Sequence, residues 1–318
     1  MDEPMAWEEL LRRQQGAVSR GQLIGRGFSR GDIAAHLAAG RWRCPIPGIY
    51  VTFTGPLPVL TRYWVALLHA GTGAVLSHTT AGAIWRLLPD RGEPVIHLTI
   101  PRPRNVRSRR GLVVHRTRIQ VVPVGSPPCT GVARTAIDVC VEATDPAGVA
   151  AVLGRVAQQY HSVLEEVREL ALGYPTMPRR AEFLAVLDDV SGGAHSALEW
   201  HYLVDVERAH GLPSGTRQRP VGGTRQDVHL DEYRTTIELD GRVVHQRVPA
   251  AWRDMIRDNA AARRGETTLR YGWQDVRWRP CAIAAEVAAI LRARGWTGAP
   301  TACGPGCPLG PLEWTRSG

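Results

Sequence analysis

The sequence contains no lysine: its 39 lysine-plus-arginine positions, in a chain of 318 residues, are all arginine. A guanidinium stays protonated, so chemistry that needs a lysine-type base is excluded. Set against 30 acidic residues, the arginines give a net charge of +9. Their planar forks suit phosphate, so nucleic-acid binding fits this composition, although a codon bias toward arginine explains it equally well. Long apolar runs are also missing. With 44% hydrophobic and 22% charged residues, the composition is that of an ordinary globular protein with no membrane-crossing stretch. The opening MDEPMAWEELLRR starts acidic and turns amphipathic, the reverse of a secretory leader, so a cytoplasmic location is expected. Six irregularly spaced cysteines do not form a disulfide framework and are read as reduced thiols. Nothing matches a phosphate-binding P-loop.

The length exceeds that of a usual single domain, and the expected class is multi-domain α/β. Four segments are anticipated: an N-terminal winged helix-turn-helix over 1–55, a mixed α+β region over 56–190, an α/β unit over 191–296 and an irregular Gly/Pro-rich tail over 297–318. Helices are predicted at 6–15, 19–26 and 29–39, the last two opened by Ser19 and Ser29 and the third closed by Gly40. RWRCPIPGIYVT then reads as a strand-turn-strand wing. In the middle region VIHLTI and GLVVHRT read as strands, and the acid-free, arginine-rich PRPRNVRSRRG between them reads as a solvated hairpin tip.

Most chemistry is concentrated in TRQDVHLDEYRTTIELDGRV. A polar turn near Asp231 to Arg234 sets a register that pairs Leu230 with Thr235, Val228 with Ile237 and Asp227 with Glu238. Asp240 then shares a face with Asp227 and Glu238, while Val228, Leu230, Ile237 and Leu239 face the core. Facing carboxylates repel and call for compensation, by a divalent cation or by Arg219, Arg225, Arg234 or Arg242. In HSALEWHYLVDVERAHGL, Glu199 falls on the apolar stripe of Leu198, Tyr202, Leu203 and Val206. It is either a further acid directed at the cation or the partner of Ser196 in an S-x-x-E capping box.

Two resemblances extend this reading. The stretch SRGQL…GFSRGDIAAHLAAGRWRCPIPGIYV resembles the winged-helix domain of AbiEi-type antitoxin and transcriptional-regulator proteins, with Ser29 to Ala39 in the recognition-helix position. It implies DNA contacts from Ser29, Arg30, Arg41 and Arg43, and a toxin as a possible partner. SALEWHYL…DVHLDEYRTTIELDGRVVHQ…RDMIRDNAAARRGETTLRYGW resembles a family related to the very-short-patch-repair endonuclease, within the PD-(D/E)xK restriction-endonuclease-like superfamily. It implies a catalytic set of Glu199, Asp227, Glu238, Asp240 and His245, with Mg²⁺ or Mn²⁺ held by Asp227, Glu238 and Asp240. Asp240 stands where the superfamily usually has lysine. His245 suits a base or a phosphate ligand by its pKa range, or is a surface histidine. Arg253 and Arg257 recur at i,i+4 and contact phosphate or pair with Asp254 and Asp258.

Cys303 and Cys307 in CGPGC lack two further ligands: Cys281 is the nearest other thiol and the tail holds no histidine, so zinc is not expected. Trp252, Trp273, Trp278 and Trp296 are expected mostly under the helices. Two functions of different class remain: a metal-dependent DNA endonuclease with a DNA-binding N-terminus, or a non-catalytic DNA-binding regulator carrying a degenerate nuclease fold.

Overall fold

The computed structural model describes residues 6–89, 95–102, 104–106, 109–174, 176–240 and 265–309. The chain forms two compact units: Met1–Glu142 with Glu165–Pro178, and Ala143–Leu164 with Arg179–Gly318. Both contain helices and sheets. No helix among the described residues is long and apolar enough to cross a membrane.

The first unit opens with α1 (Trp7–Arg13), β1 (Ala17–Ser19), α2 (Arg20–Ile24), α3 (Arg30–Ala38), β2 (Arg43–Ile46) and β3 (Ile49–Val51). Ser19 and Ser29 both act as predicted: each hydroxyl accepts a backbone N–H three residues on, and Gln22 and Asp32 return the bond to the cap amides. Gly40, at φ 65°, follows the third helix. The three strands pair in the order β1-β3-β2, and Leu10, Val18, Leu23, Ile33, Trp42 and Tyr50 fill the space between helices and sheet.

A second layer follows: α4 (Val59–Ala70), β4 (Val75–Leu76), α5 (His78–Ile84), β5 (Ile96–Pro101), β6 (Leu112–Thr117) and α6 (Val132–Glu142). Here one expectation is corrected. β5 and β6 run parallel, Ile96 opposite Leu112 through Pro101 opposite Thr117, so PRPRNVRSRRG lies on a crossover and not at a hairpin tip. Two strands of matching apolar content carry no signal for relative direction; β4, antiparallel to β5, supplies the reversed neighbour instead.

After α6 the chain enters the second unit with α7 (Pro146–Gln159), returns to the first with α8 (Leu164–Leu172), and stays in the second from α9 (Arg180–Ser191) on. α10 (Ala197–His201) continues into a π-helical stretch, Tyr202–Arg208. Then come β7 (Thr216–Val221), β8 (Thr224–Leu230), β9 (Thr235–Asp240), β10 (Thr267–Gly272), α11 (Trp273–Trp278) and α12 (Pro280–Ala293). The sheet order is β10-β9-β8-β7; β7, β8 and β9 are antiparallel neighbours, and β10 is parallel to β9. Leu198, Tyr202 and Val206 of the α10 helix meet Val228, Leu230, Ile237 and Leu239 of the sheet and Ile283, Val287 and Leu291 of α12 in one core. Burying this apolar surface is the main stabilising term, on the order of 25 cal/mol for each Å² removed from water.

Two polar devices position α10. Glu207, buried on the same helix, meets the equally buried Arg217 of β7 at 2.9 Å. Gly154 of α7 lies so close to the turn before α10 that a Cβ there would run into the His195 carbonyl, which also accepts a hydrogen bond from Gln158 Nε2 at 3.1 Å. Gly154→Ala is therefore expected to displace this turn and destabilise the fold by about 1–3 kcal/mol, the usual cost of overpacking. Urea denaturation checks this; an unchanged midpoint would show that α7 does not press on the turn.

Candidate active site

The β8–β9 register is the expected one: Leu230 pairs with Thr235, His229 with Thr236 and Val228 with Ile237. A short 3₁₀ turn, Asp231–Tyr233, and Arg234 in the left-handed region make the reversal. One step beyond Val228, the Asp227 side chain takes a rung position: its Oδ2 accepts the Leu239 N–H at 2.6 Å. Burial lifts the Asp227 carboxyl to about 6; the Leu239 N–H opposes this, and the charges of Glu199 and Asp240 add to it.

Glu199 is only 6% exposed. Its backbone N–H donates to Ser196 Oγ at 3.1 Å, the first half of a capping box. The carboxylate does not close the box on Ser196. It accepts the His195 N–H at 3.0 Å and Gln218 Nε2–H at 2.8 Å, and burial outweighs these bonds, so its pKa is raised. Capping and placement beside Asp227 are thus combined in one serine-glutamate pair.

Glu238 is half-buried and Asp240 exposed. The expected gathering of Asp227, Glu238 and Asp240 about one cation is not seen: among the described residues, no three acids bring carboxylate oxygens mutually within 4.8 Å. Glu238 and Asp240, two apart on β9, are separated by roughly 6–7 Å along the strand, and the Asp227 carboxylate is turned to the Leu239 N–H. What is brought together is Glu199, Asp227 and Asp240, near enough for their charges to act on Asp227. Compensation by arginine applies to the turn and not to Asp227: Asp231 lies 3.6 Å from Arg219, and among the described residues no arginine stands within ion-pair range of Asp227. His245, Arg253 and Arg257, with Arg242, Trp252, Asp254 and Asp258, lie outside the described residues.

In the first unit, Ser29, Arg30, Arg41 and Arg43 are all exposed. The Ser29 hydroxyl is occupied as a cap, Arg41 Nε donates to His36 Nδ1 at 3.1 Å, and Arg43 donates to the Gly55 carbonyl. The tryptophans depart from expectation. Trp296 packs partly on the core, whereas Trp273 and Trp278 are 44% and 75% exposed. First and last residues of the short α11, they leave its inward position to Val276, which is fully buried. The Arg277 guanidinium stands 5.5 Å from the Trp278 ring centre.

A histidine cluster of the first unit was not anticipated. His78, His97 and His115 bring ring nitrogens within 4.8 Å of one another, from α5, β5 and β6. Their spacing in sequence gives no signal; only the parallel pairing aligns Thr99 with His115 and brings His97 near it. His97 Nδ1 and His115 Nε2 are 3.1 Å apart, and the His78 and His115 rings stack at 3.4 Å and 11°. Imidazole lone pairs lie in the ring plane, so stacked parallel rings do not aim at a common ion. Burial and the neighbouring rings hold His78 down to about 3 and His115 to about 4, so both stay neutral.

No family model matches this sequence, and no curated protein matches it. Among solved structures it is similar to one titled "Crystal structure of RV2827C protein from Mycobacterium tuberculosis", over 62% of this chain and 78% of that chain, at 16% identity and a TM-score of 0.39.

Two outcomes are expected. Unfolded histidines protonate near 6.5 while folded His78 and His115 do not until about 3 and 4; the unfolded state then binds more protons, and stability present above 6.5 is lost as pH falls toward 4. His78→Asn, which tolerates the φ of 50° found there, should flatten that fall in Tm; identical pH profiles for the two proteins would refute the assignment. Separately, Asp227→Asn removes a repelling charge and should raise the Tm of metal-free protein at pH 8 while abolishing any rise in Tm on adding Mg²⁺. A variant less stable than the parent under chelation would show that Asp227 is a net structural anchor.

Proposed function

We propose that the second unit is a metal-dependent nuclease that hydrolyses phosphodiester bonds in DNA, and that the N-terminal helices and sheet form a winged-helix DNA-binding module. The single observation that carries this reading is the buried Asp227, which feels the like charges of Glu199 and Asp240 while no arginine among the described residues stands within ion-pair range of it. A scaffold gains nothing from that repulsion, whereas a divalent cation relieves it. The helix, antiparallel strands and final parallel strand agree with the restriction-endonuclease-like pattern that the sequence resembles. Mg²⁺ needs only one or two carboxylates when waters complete its octahedron, so a wide acid cluster still fits it, or Mn²⁺.

Asp227 and Asp240 or Glu238 would hold the ion. When bound, it supplies Lewis acidity toward the phosphate and acidifies a coordinated water. Glu199, held by the His195 amide and Gln218, fixes the negative potential at Asp227. With no lysine in the chain, the carboxylates, with His245, would orient the attacking water. Exposed Trp273 and Trp278 offer faces for bases, and Arg277 and Arg279 lie beside them.

Asp240 at the position usually held by lysine favours the second reading, a non-catalytic DNA-binding regulator or antitoxin-like protein with a toxin as its partner. Plasmid cleavage separates the two. With Mg²⁺ or Mn²⁺ the parent should nick or linearise DNA, and Asp227→Ala and Glu238→Ala should each lower the rate on the order of 100-fold or more. Metal-dependent cutting that survives both substitutions would remove the site assignment; intact DNA binding without cutting would establish the regulator.

A further inference from the structure

The end of the α10 helix and the C-terminal tail enclose a second group of side chains. His210, Cys281, Cys303 and Cys307 each bring one ligand atom to within 4.8 Å of every other. They come from three separate segments: His210 from just beyond the π-helical stretch, Cys281 from the first turn of α12, and the two remaining thiols from the tail. The tail holds this position by its backbone, with the Thr301 N–H donating to the His210 carbonyl at 2.9 Å and Arg292 Nε donating to the Gly298 carbonyl at 3.2 Å.

His210 is fully buried. Its Nδ1 lies 3.0 Å from the Val206 carbonyl, which can only accept, so Nδ1 carries the proton. Among the described residues, Nε2 is left with its lone pair, buried and without a hydrogen-bond partner. A buried acceptor in that state is unfavourable unless something occupies it. An imidazole whose far nitrogen is fixed by a backbone carbonyl, with the near one directed at thiols, is the arrangement that orients a metal-ligating histidine.

The distances separate a metal from a disulfide. Cys281 Sγ and Cys303 Sγ are 3.6 Å apart, far beyond the roughly 2.05 Å of a bonded pair. Zn–S lengths near 2.3 Å and Zn–N lengths near 2.0–2.1 Å imply tetrahedral edges of about 3.5–3.8 Å, and the observed separation is such an edge.

We propose that His210, Cys281, Cys303 and Cys307 form a structural zinc site of the Cys₃His type. Four protein ligands close the coordination sphere and leave no position for substrate, so the ion ties the tail and the start of α12 to the end of the helix that carries Glu199. Binding transfers the thiol protons to solvent and changes no oxidation state. The sequence-based exclusion of zinc is thereby overturned: the missing histidine lies far upstream of the tail, at a position that only the fold brings into range. This site is independent of the nuclease reading and would stand if that reading failed.

The test is metal analysis of the full chain, purified under reducing conditions from zinc-supplemented medium. One zinc per chain by elemental mass spectrometry is expected, with exposed Cys44 reacting readily with a thiol reagent, buried Cys129 and Cys140 protected by the fold, and Cys303 and Cys307 reacting only once the metal is stripped. Cys44→Ser, at an exposed thiol outside the group, should keep the zinc. His210→Asn and Cys303→Ser should each bring it close to zero, and Cys303, being exposed in the tail, serves where the buried His210 variant does not fold. Freely reactive Cys303 and Cys307 without stoichiometric metal, a Cys281–Cys303 disulfide in intact-mass analysis, iron in place of zinc, or zinc retained by Cys303→Ser would each overturn the proposal.

Discussion

The second unit is organised by the strand pleat, which forces neighbouring residues of β8 and β9 to opposite faces. Val228, Leu230, Ile237 and Leu239 are buried in one core, and the residues between them must turn the other way. Asp227 and its acidic neighbours are held where they are by that parity: a slip of one residue would put carboxylates into the core and leucines outside it. The helix before the sheet joins that core through Leu198, Tyr202 and Val206, and Glu199, buried on it, lies near enough for its charge to act on Asp227.

Two buried acids of this unit show opposite solutions to one problem. Glu207 is paired with Arg217, both shielded from water, so its charge has a partner of opposite sign. Asp227 has a backbone N–H and acids for company. The first arrangement braces the helix against β7. The second stores unfavourable electrostatics at one point of the sheet, which is what pKa shifts at reaction centres generally reflect.

Local features were legible in the sequence and long-range ones were not. Ser19, Ser29 and Ser196 announce their helices because a cap depends on residues three apart, and the β8–β9 register follows from alternation and a short turn. The parallel direction of β5 and β6, and with it the histidine cluster, depends on a crossover that no local pattern encodes. The same holds for His210, whose thiol neighbours lie 71 to 97 positions away in sequence. For Glu199 the local pattern leaves two roles open, and its carboxylate reaches one residue past the cap, to His195. Trp273 and Trp278 misled because a six-residue helix has room for few inward positions, and Val276 takes one.

The π-helical stretch Tyr202–Arg208 acts as a phase adjuster. Each residue of an α-helix advances the azimuth by roughly 100°, so a single inserted or deleted residue rotates everything downstream by that amount. Glu199 lies before the stretch and His210 after it, and each must face a different neighbour: the sheet acids at one end, the thiols of the tail at the other. The wider turns allow both directions to be met on one continuous rod. The two ends are consequently not free to vary separately, and a one-residue deletion between them, silent in composition and hydrophobicity, would uncouple the two faces of the unit at once.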